Sequence, residues 1–267
     1  MQYNVKMDPD SLTVLTWLAA GAIFLFAGLS HGTLGLGFPM LATPMLAIMI
    51  DIRGAILLTL LPTITVNLIS ILRGGRWSES IGRYWPLAMM IPLGTVVGTW
   101  LLLTVDPAPF RLLLAAIILL HLFGERLKGV RMEWIGTRPW SAYLVFGLAA
   151  GLSAGIVNVM VPLLIIFALR IGMAPLVMVQ VFNLCFLAGK TAQLGVFSVA
   201  GLLTPALLIS TLPFAGIAAV ALLIGMRLRQ RVDAETYRGW LRLVLWVIVV
   251  VLVMQYCAGF WLPFDSE

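Results

Sequence analysis

Ionised side chains are scarce in this sequence. Asp, Glu, Lys and Arg make up 10% of its 267 residues, while 61% are hydrophobic and mean hydropathy reaches +1.06. A water-soluble domain of this length needs polar residues over most of its outer surface. Stretches such as Leu112–Leu122 and Leu243–Val253 offer almost none, so lipid is the expected solvent. Cysteine is nearly absent as well: Cys185 and Cys257 both lie in apolar segments, which reads as buried packing and excludes a disulfide framework. There is no phosphate-cradling loop, no Cys or His cluster at metal spacing, no serine-nucleophile motif and no pair of carboxylates inside an apolar segment. These absences leave ATP-driven pumping and intramembrane catalysis without support, and the expectation is a protein that is not an enzyme, with no cofactor and no metal. The 17 Lys and Arg exceed the 11 Asp and Glu to give +6. They stand in short loops between apolar runs, where they act as topology signals and contacts to anionic headgroups, not as a nucleic-acid surface. Met1–Ser11 has one Lys and two Asp and lacks the basic flank of a signal peptide, so the first span is expected to remain in the mature chain.

What is present is a series of apolar runs bounded by charge or proline, near 12–31, 39–50, 54–72, 84–104 and 108–124, then 139–156, 159–170, 173–192, 200–225 and 238–259. Most are long enough to cross a hydrocarbon core of roughly 30 Å at about 1.5 Å per residue. The runs that begin at Pro39 and Pro162 are shorter and read as half-helices. A single helix from Leu12 to Ile50 would be about 58 Å long. A break between Gly32 and Pro39 is therefore required.

The two series are copies of one another. GLSHGTLGLGFPML from Gly28 to Leu41 aligns without gaps on GLSAGIVNVMVPLL from Gly151 to Leu164, and Phe110-Arg111 matches Tyr237-Arg238. The chain thus divides into an N-terminal transmembrane repeat (1–124), a basic cytoplasmic linker (125–138) and a C-terminal transmembrane repeat (139–267). The basic loops Arg73–Arg83, Glu125–Arg138 and Arg227–Arg242 are expected to face the cytoplasm, and Val105–Pro109 and Gln193–Ala200 the other side. That pattern predicts an all-α polytopic membrane protein of two inverted repeats, each of about five helical segments, with both termini on the non-cytoplasmic side of the cell inner membrane.

In lipid, broken helices are tolerated only where protein or a cavity surrounds them. Gly32, Gly35 and Gly37 surround one break and Gly155 and Asn158 the other, each followed by a proline suited to a first helical turn. Two such N-termini facing each other at the midplane would attract an anion without any ionised side chain. The competing reading is close helix packing, which the spacing of Gly28/Gly32, Gly94/Gly98 and Gly147/Gly151/Gly155 also supports. Lys190, whose repeat counterpart is Asn67, either faces a central cavity or snorkels to the headgroups. His31 adjoins the first break, where it is a satisfied interior imidazole or a proton carrier. Ser30, Thr33, Ser153 and Asn67 add uncharged hydrogen-bonding groups, as do Thr43, Thr63, Asn183 and Gln193. Trp77, Trp85, Trp134, Trp140 and Trp261 read as interfacial anchors.

The duplicated GLGFPMLATPML and NVMVPLLIIF segments, the PLGTVVGTWL of the fourth run and the starts FRLLLAAIILL and YRGWLRLVLWVI together resemble the TauE/SafE-like sulfite exporter family, also called the toluene-sulfonate uptake permease family. The resemblance spans nearly the whole chain. It implies a secondary transporter, an exporter, of a small anion such as sulfite, a sulfonate or another sulfur-containing or organic anion, working by alternating access. The family's first break is commonly a run of adjacent glycines; here Leu34, Leu36 and Phe38 interleave, and a narrower or more apolar pocket is expected. The substrate-binding set is then Ser30, His31, Gly32, Thr33, Gly35, Gly37, Asn67, Ser153, Gly155, Asn158 and Lys190. The expected partners are a small anionic solute and the lipid bilayer, with proton coupling and a homodimer as further expectations and no nucleic acid. A passive anion channel and a non-transporting membrane assembly factor are the alternatives.

Overall fold

The computed structural model describes residues 14–123, 134–229 and 234–261, and among these the chain is helical with no strand. The helices are α1 (Val14–Leu34), α2 (Phe38–Ala47), α3 (Ile52–Gly74), α4 (Ile81–Thr104), α5 (Ala108–Phe123), α6 (Trp134–Thr137), α7 (Pro139–Val157), α8 (Val161–Arg170), α9 (Pro175–Val199), α10 (Pro205–Leu228) and α11 (Ala234–Trp261). Six of them, α1, α3, α4, α7, α9 and α10, are long and apolar enough to cross a membrane. The chain is a multi-pass membrane protein. Met1–Ser11 and most of the basic linker lie outside the described residues.

Local chemistry sets the element boundaries. Prolines stand in the first turn of α2, α7, α8, α9 and α10, where a missing N–H leaves no bond unmade. Asp51 caps α3 by accepting from the N–H groups of Arg53 and Gly54, and Thr204 caps α10 by accepting from Leu207. Arg53 then ties the start of α3 to the end of α4: its Nε donates to the Leu102 carbonyl at 2.8 Å and its Nη2 to that of Val105 at 2.6 Å. Two short helices of ten residues each, α2 and α8, follow the breaks.

Packing exchanges the repeats. The first helix of each series lies against the fourth of the other, α1 on α10 and α7 on α4, while α3 packs on α9 and α5 on α11. Small residues make these seams. A Cβ at Gly32 would press on the Leu222 carbonyl, on the Met226 nitrogen and on Gly225 Cα. A Cβ at Gly155 would meet Thr95 O, Thr99 N and the Gly98 carbonyl carbon. These are the same contacts in register, because Thr95, Gly98 and Thr99 stand in α4 where Leu222, Gly225 and Met226 stand in α10. Backbone approach of this kind replaces the missing hydrophobic drive between helices in lipid.

Two expectations are corrected. The segment Gln193–Ala200 is not an outer loop: α9 runs on to Val199, and Ala200–Thr204 make the connection. Lys190, Thr191 and Gln193 lower the local hydropathy, yet Lys190 and Gln193 are buried in protein instead of projecting into water. Cys185 is buried as expected, but Cys257 is exposed on α11, because an apolar helix facing lipid exposes apolar residues too. Trp77, Trp85, Trp134 and Trp140 are exposed in the inter-helix turn or near helix starts. The side chain of Trp261 lies outside the described residues.

Candidate functional site

At the first break α1 ends at Leu34, and Gly35 (φ 83°) and Gly37 (φ 105°) carry the chain through the left-handed region into α2. Space as well as backbone demands glycine at position 35, where a Cβ would lie 2.7 Å from Val179 Cγ1. His31, in the last turn of α1, fills the hollow behind the break. Its Nδ1 accepts the Phe38 N–H at 3.3 Å, and its Nε2 lies 3.2 Å from Ser70 Oγ on α3. A nitrogen that accepts carries no hydrogen, so this ring is the neutral tautomer with its hydrogen on Nε2, directed at Ser70. Asn183 of α9 closes the ring of contacts by donating from Nδ2 to the Gly35 carbonyl at 3.0 Å. His31 thus already satisfies one of the free N–H groups at the start of α2, that of Phe38.

The second break is built differently. Asn158 terminates α7 with φ 62° and ψ 21°, the left-handed conformation that asparagine tolerates better than other side chains with a Cβ. Its Nδ2 donates to Thr43 Oγ1 on α2 at 2.6 Å and to Thr59 Oγ1 on α3 at 3.0 Å. Ser153 holds the following turn by donating from Oγ to the Val159 carbonyl. Beside the break, Lys190 is only 3% exposed, and its ammonium donates to Gln193 Oε1 at 2.5 Å. The Gln193 amide reaches Thr99 Oγ1 and the Gly155 carbonyl only at 3.5 and 3.4 Å. Asn158 Oδ1 and Thr95 Oγ1 are buried without a hydrogen-bond partner. Together with Ala154, Met160, Phe186 and Gly189, these groups line a crevice too narrow in this state to hold a water molecule.

The repeat alignment explains the difference. Ser30, His31, Gly35, Asn67 and Ser70 of the first half correspond to Ser153, Ala154, Asn158, Lys190 and Gln193 of the second. Where His31 plugs the first site, Ala154 leaves space. Where the first site has the neutral Asn67, the second has a cation. Near the first break His31 meets α3 at Ser70, and at the second Asn158 meets it at Thr59. The crevice itself lies at the second break, beside Asn158 and Lys190.

The other candidate residues fall as follows. Gly32 and Gly155 sit in the α1–α10 and α7–α4 seams, with the Gly155 carbonyl also turned to Gln193. Ser30 Oγ donates to the Phe26 carbonyl and Thr33 Oγ1 to that of Ser30 within α1. Asn67 is buried on α3, donating to the Thr63 carbonyl with Oδ1 unpartnered. Lys190 is not at a helix end, since α9 continues for more than two turns beyond it, and the headgroup position is excluded. Of residues that no motif marks, Thr95 lines the crevice, Thr59 and Thr99 contact Asn158 and Gln193 beside it, and Ser70 faces His31. Two signals point to them: Ser70 is the repeat partner of Gln193, and Thr95 and Thr99 each follow a glycine of the α4 seam.

Residues 20–254 match the family model described as Sulfite exporter TauE/SafE. No curated protein and no solved structure gives a significant match.

Proposed function

Because the chain belongs to the sulfite exporter TauE/SafE family, whose members are transporters and not enzymes, we propose that it is a secondary transporter that exports a small anion, sulfite or a related sulfur-containing or organic anion, through the crevice at the second break. The observation that carries this reading is Lys190. A buried ammonium is costly unless a counter-charge meets it, and it stands beside a hydroxyl, Thr95, and an amide oxygen of Asn158 that have no partner in the protein. A bound oxyanion supplies the counter-charge and accepts from Thr95. Gln193 holds the ammonium through one bond and spends its own donors on two long ones, so it is free to turn toward a ligand.

The reciprocal seams, α1 on α10 and α7 on α4, support two inverted repeats divided at the linker 125–138. Each seam is glycine against backbone, a surface on which helices rock with little side-chain rearrangement, as alternating access requires. The closed crevice then corresponds to an occluded arrangement that opens when one repeat tilts. Basic loops favour an inner-membrane location with both termini on the non-cytoplasmic side. The doubly hydrogen-bonded neutral His31 fits a staple holding α1 to α2 and α3 better than a proton carrier.

The test is flux of sulfite and sulfonates in liposomes containing the purified protein. Saturable flux with counter-transport, lost in Lys190→Met while the protein remains folded, is the expected result. Flux that never saturates would identify a channel. No flux for any anion would remove transport from consideration and leave an assembly role.

A further inference from the structure

Resting on that reading, we infer that the crevice admits a singly charged oxyanion and discriminates against a doubly charged one of the same shape. Among the described residues Lys190 is the only buried Lys, Arg, Asp or Glu, and it makes no ion pair. The groups that line the crevice with it are neutral: Thr95 from α4, Ala154 and Asn158 from α7, Met160 from the break, and Phe186, Gly189 and Gln193 from α9 itself, with Thr99 of α4 behind Gln193. The repeat counterpart that could have supplied a second cation is Asn67.

Helix ends do not make up the difference. The positive end of α8 begins at Val161, but the negative end of α7 stops at Val157 on the same break, so their partial charges largely offset one another. One ammonium with a monoanion leaves the loaded crevice neutral. A dianion leaves a full negative charge in a dry site with only hydroxyl and amide dipoles to hold it. The unpartnered Asn158 Oδ1 points the same way, because it can only accept. A hydrogen-bearing anion such as hydrogensulfite has an O–H to give it, while fully ionised sulfite has none and sets oxygen against oxygen.

Chlorate supplies the control, being pyramidal like sulfite but singly charged at every working pH. Ligand-induced thermal stabilisation of the purified protein is measured for chlorate, sulfate and sulfite as the pH is raised through loss of the hydrogensulfite proton, without oxygen. Chlorate binding should stay level, sulfite binding should weaken by about tenfold or more, and sulfate should remain weaker than chlorate by a similar factor. In Lys190→Gln binding of chlorate as well as sulfate should be lost, because a net negative charge then stays uncompensated with either, while Lys190→Arg should keep chlorate bound ahead of sulfate. The inference is overturned if sulfate or fully ionised sulfite binds within about threefold of chlorate, or if Lys190→Gln binds chlorate as well as the parent does. It is also overturned if chlorate binding falls in parallel with that of sulfite, since the protein and not the ligand would then be titrating. Absence of binding by any anion would instead refute the transport site itself.

Discussion

Asn158 can be made to report on both the break and the site. In Asn158→Ala the backbone must hold φ 62° with a Cβ and no side-chain amide, at a cost of about 1 kcal/mol. The two bonds from Nδ2 to Thr43 and Thr59 are lost as well, at about 1 kcal/mol each. Removal of the unpartnered Oδ1 returns part of that, because an unsatisfied buried acceptor itself costs about 1 kcal/mol or more. A net destabilisation of about 1–3 kcal/mol results. Asn158→Gly loses the same bonds but adopts the left-handed backbone freely. After its larger unfolded-state entropy is allowed, glycine should be more stable than alanine by roughly 0.5–1 kcal/mol. Reversible unfolding in mixed detergent micelles measures the difference. The order is diagnostic because in ordinary helix glycine is the worse residue by a similar amount. Alanine as stable as glycine would mean that α7 does not end in a left-handed residue here and would refute the described break.

Other substitutions test the remaining contacts. Ala154→His, which copies the first repeat into the second, should fill the crevice and abolish anion binding while costing about 1–3 kcal/mol by overpacking; retained binding would place the site elsewhere. Gly155→Ala and Gly32→Ala should each destabilise by about 1–3 kcal/mol, since the new methyl meets backbone that cannot rotate away, and a thermal shift near zero for both would contradict the seams. His31→Gln keeps an acceptor for Phe38 and a donor for Ser70, so it should unfold within about 1 kcal/mol of the parent and leave the pH profile of flux unchanged; an altered profile would make His31 a proton carrier. Arg53→Met gives up two charged hydrogen bonds at a partly exposed helix end and should cost about 1–2 kcal/mol in the same unfolding assay.

Much of this architecture is written in hydropathy and proline. The breaks fall at Gly35–Gly37 and Asn158–Met160 because lipid limits the length of a span and because residues that tolerate a positive φ, Gly35, Gly37 and Asn158, stand just before Pro39 and Pro162, which suit a first helical turn. The end of α9 was not legible for a physical reason. Hydropathy counts a buried lysine and glutamine as loop, although in a helical bundle they can line an interior crevice with every backbone bond intact. Thr59 was hidden for the opposite reason, since threonine is too common in membrane helices for sequence to separate a site contact from ordinary bonding to a preceding carbonyl. Repeat comparison carries further than either signal: it pairs Ser70 with Gln193 and Asn67 with Lys190 before any contact is known.

That comparison also bears on mechanism. Two identical half-sites in an inverted duplication would bind equally well at two heights, and a solute would gain nothing by moving between them. Here the halves have diverged in volume and charge at matching positions. His31 occupies with carbon and nitrogen the space that Ala154 leaves open, and the imidazole takes up the Phe38 N–H that would otherwise face a ligand. Asn67 is neutral where its repeat partner Lys190 brings a charge. On the function proposed above, an anion then has one deep resting place, at the second break. If so, exchanging the pair, with Asn67→Lys and Lys190→Asn together, should not restore binding, because His31 still fills the first hollow. Adding His31→Ala to that double variant should recover part of it. Recovery in the double variant alone would show that charge, not volume, decides which half holds the solute.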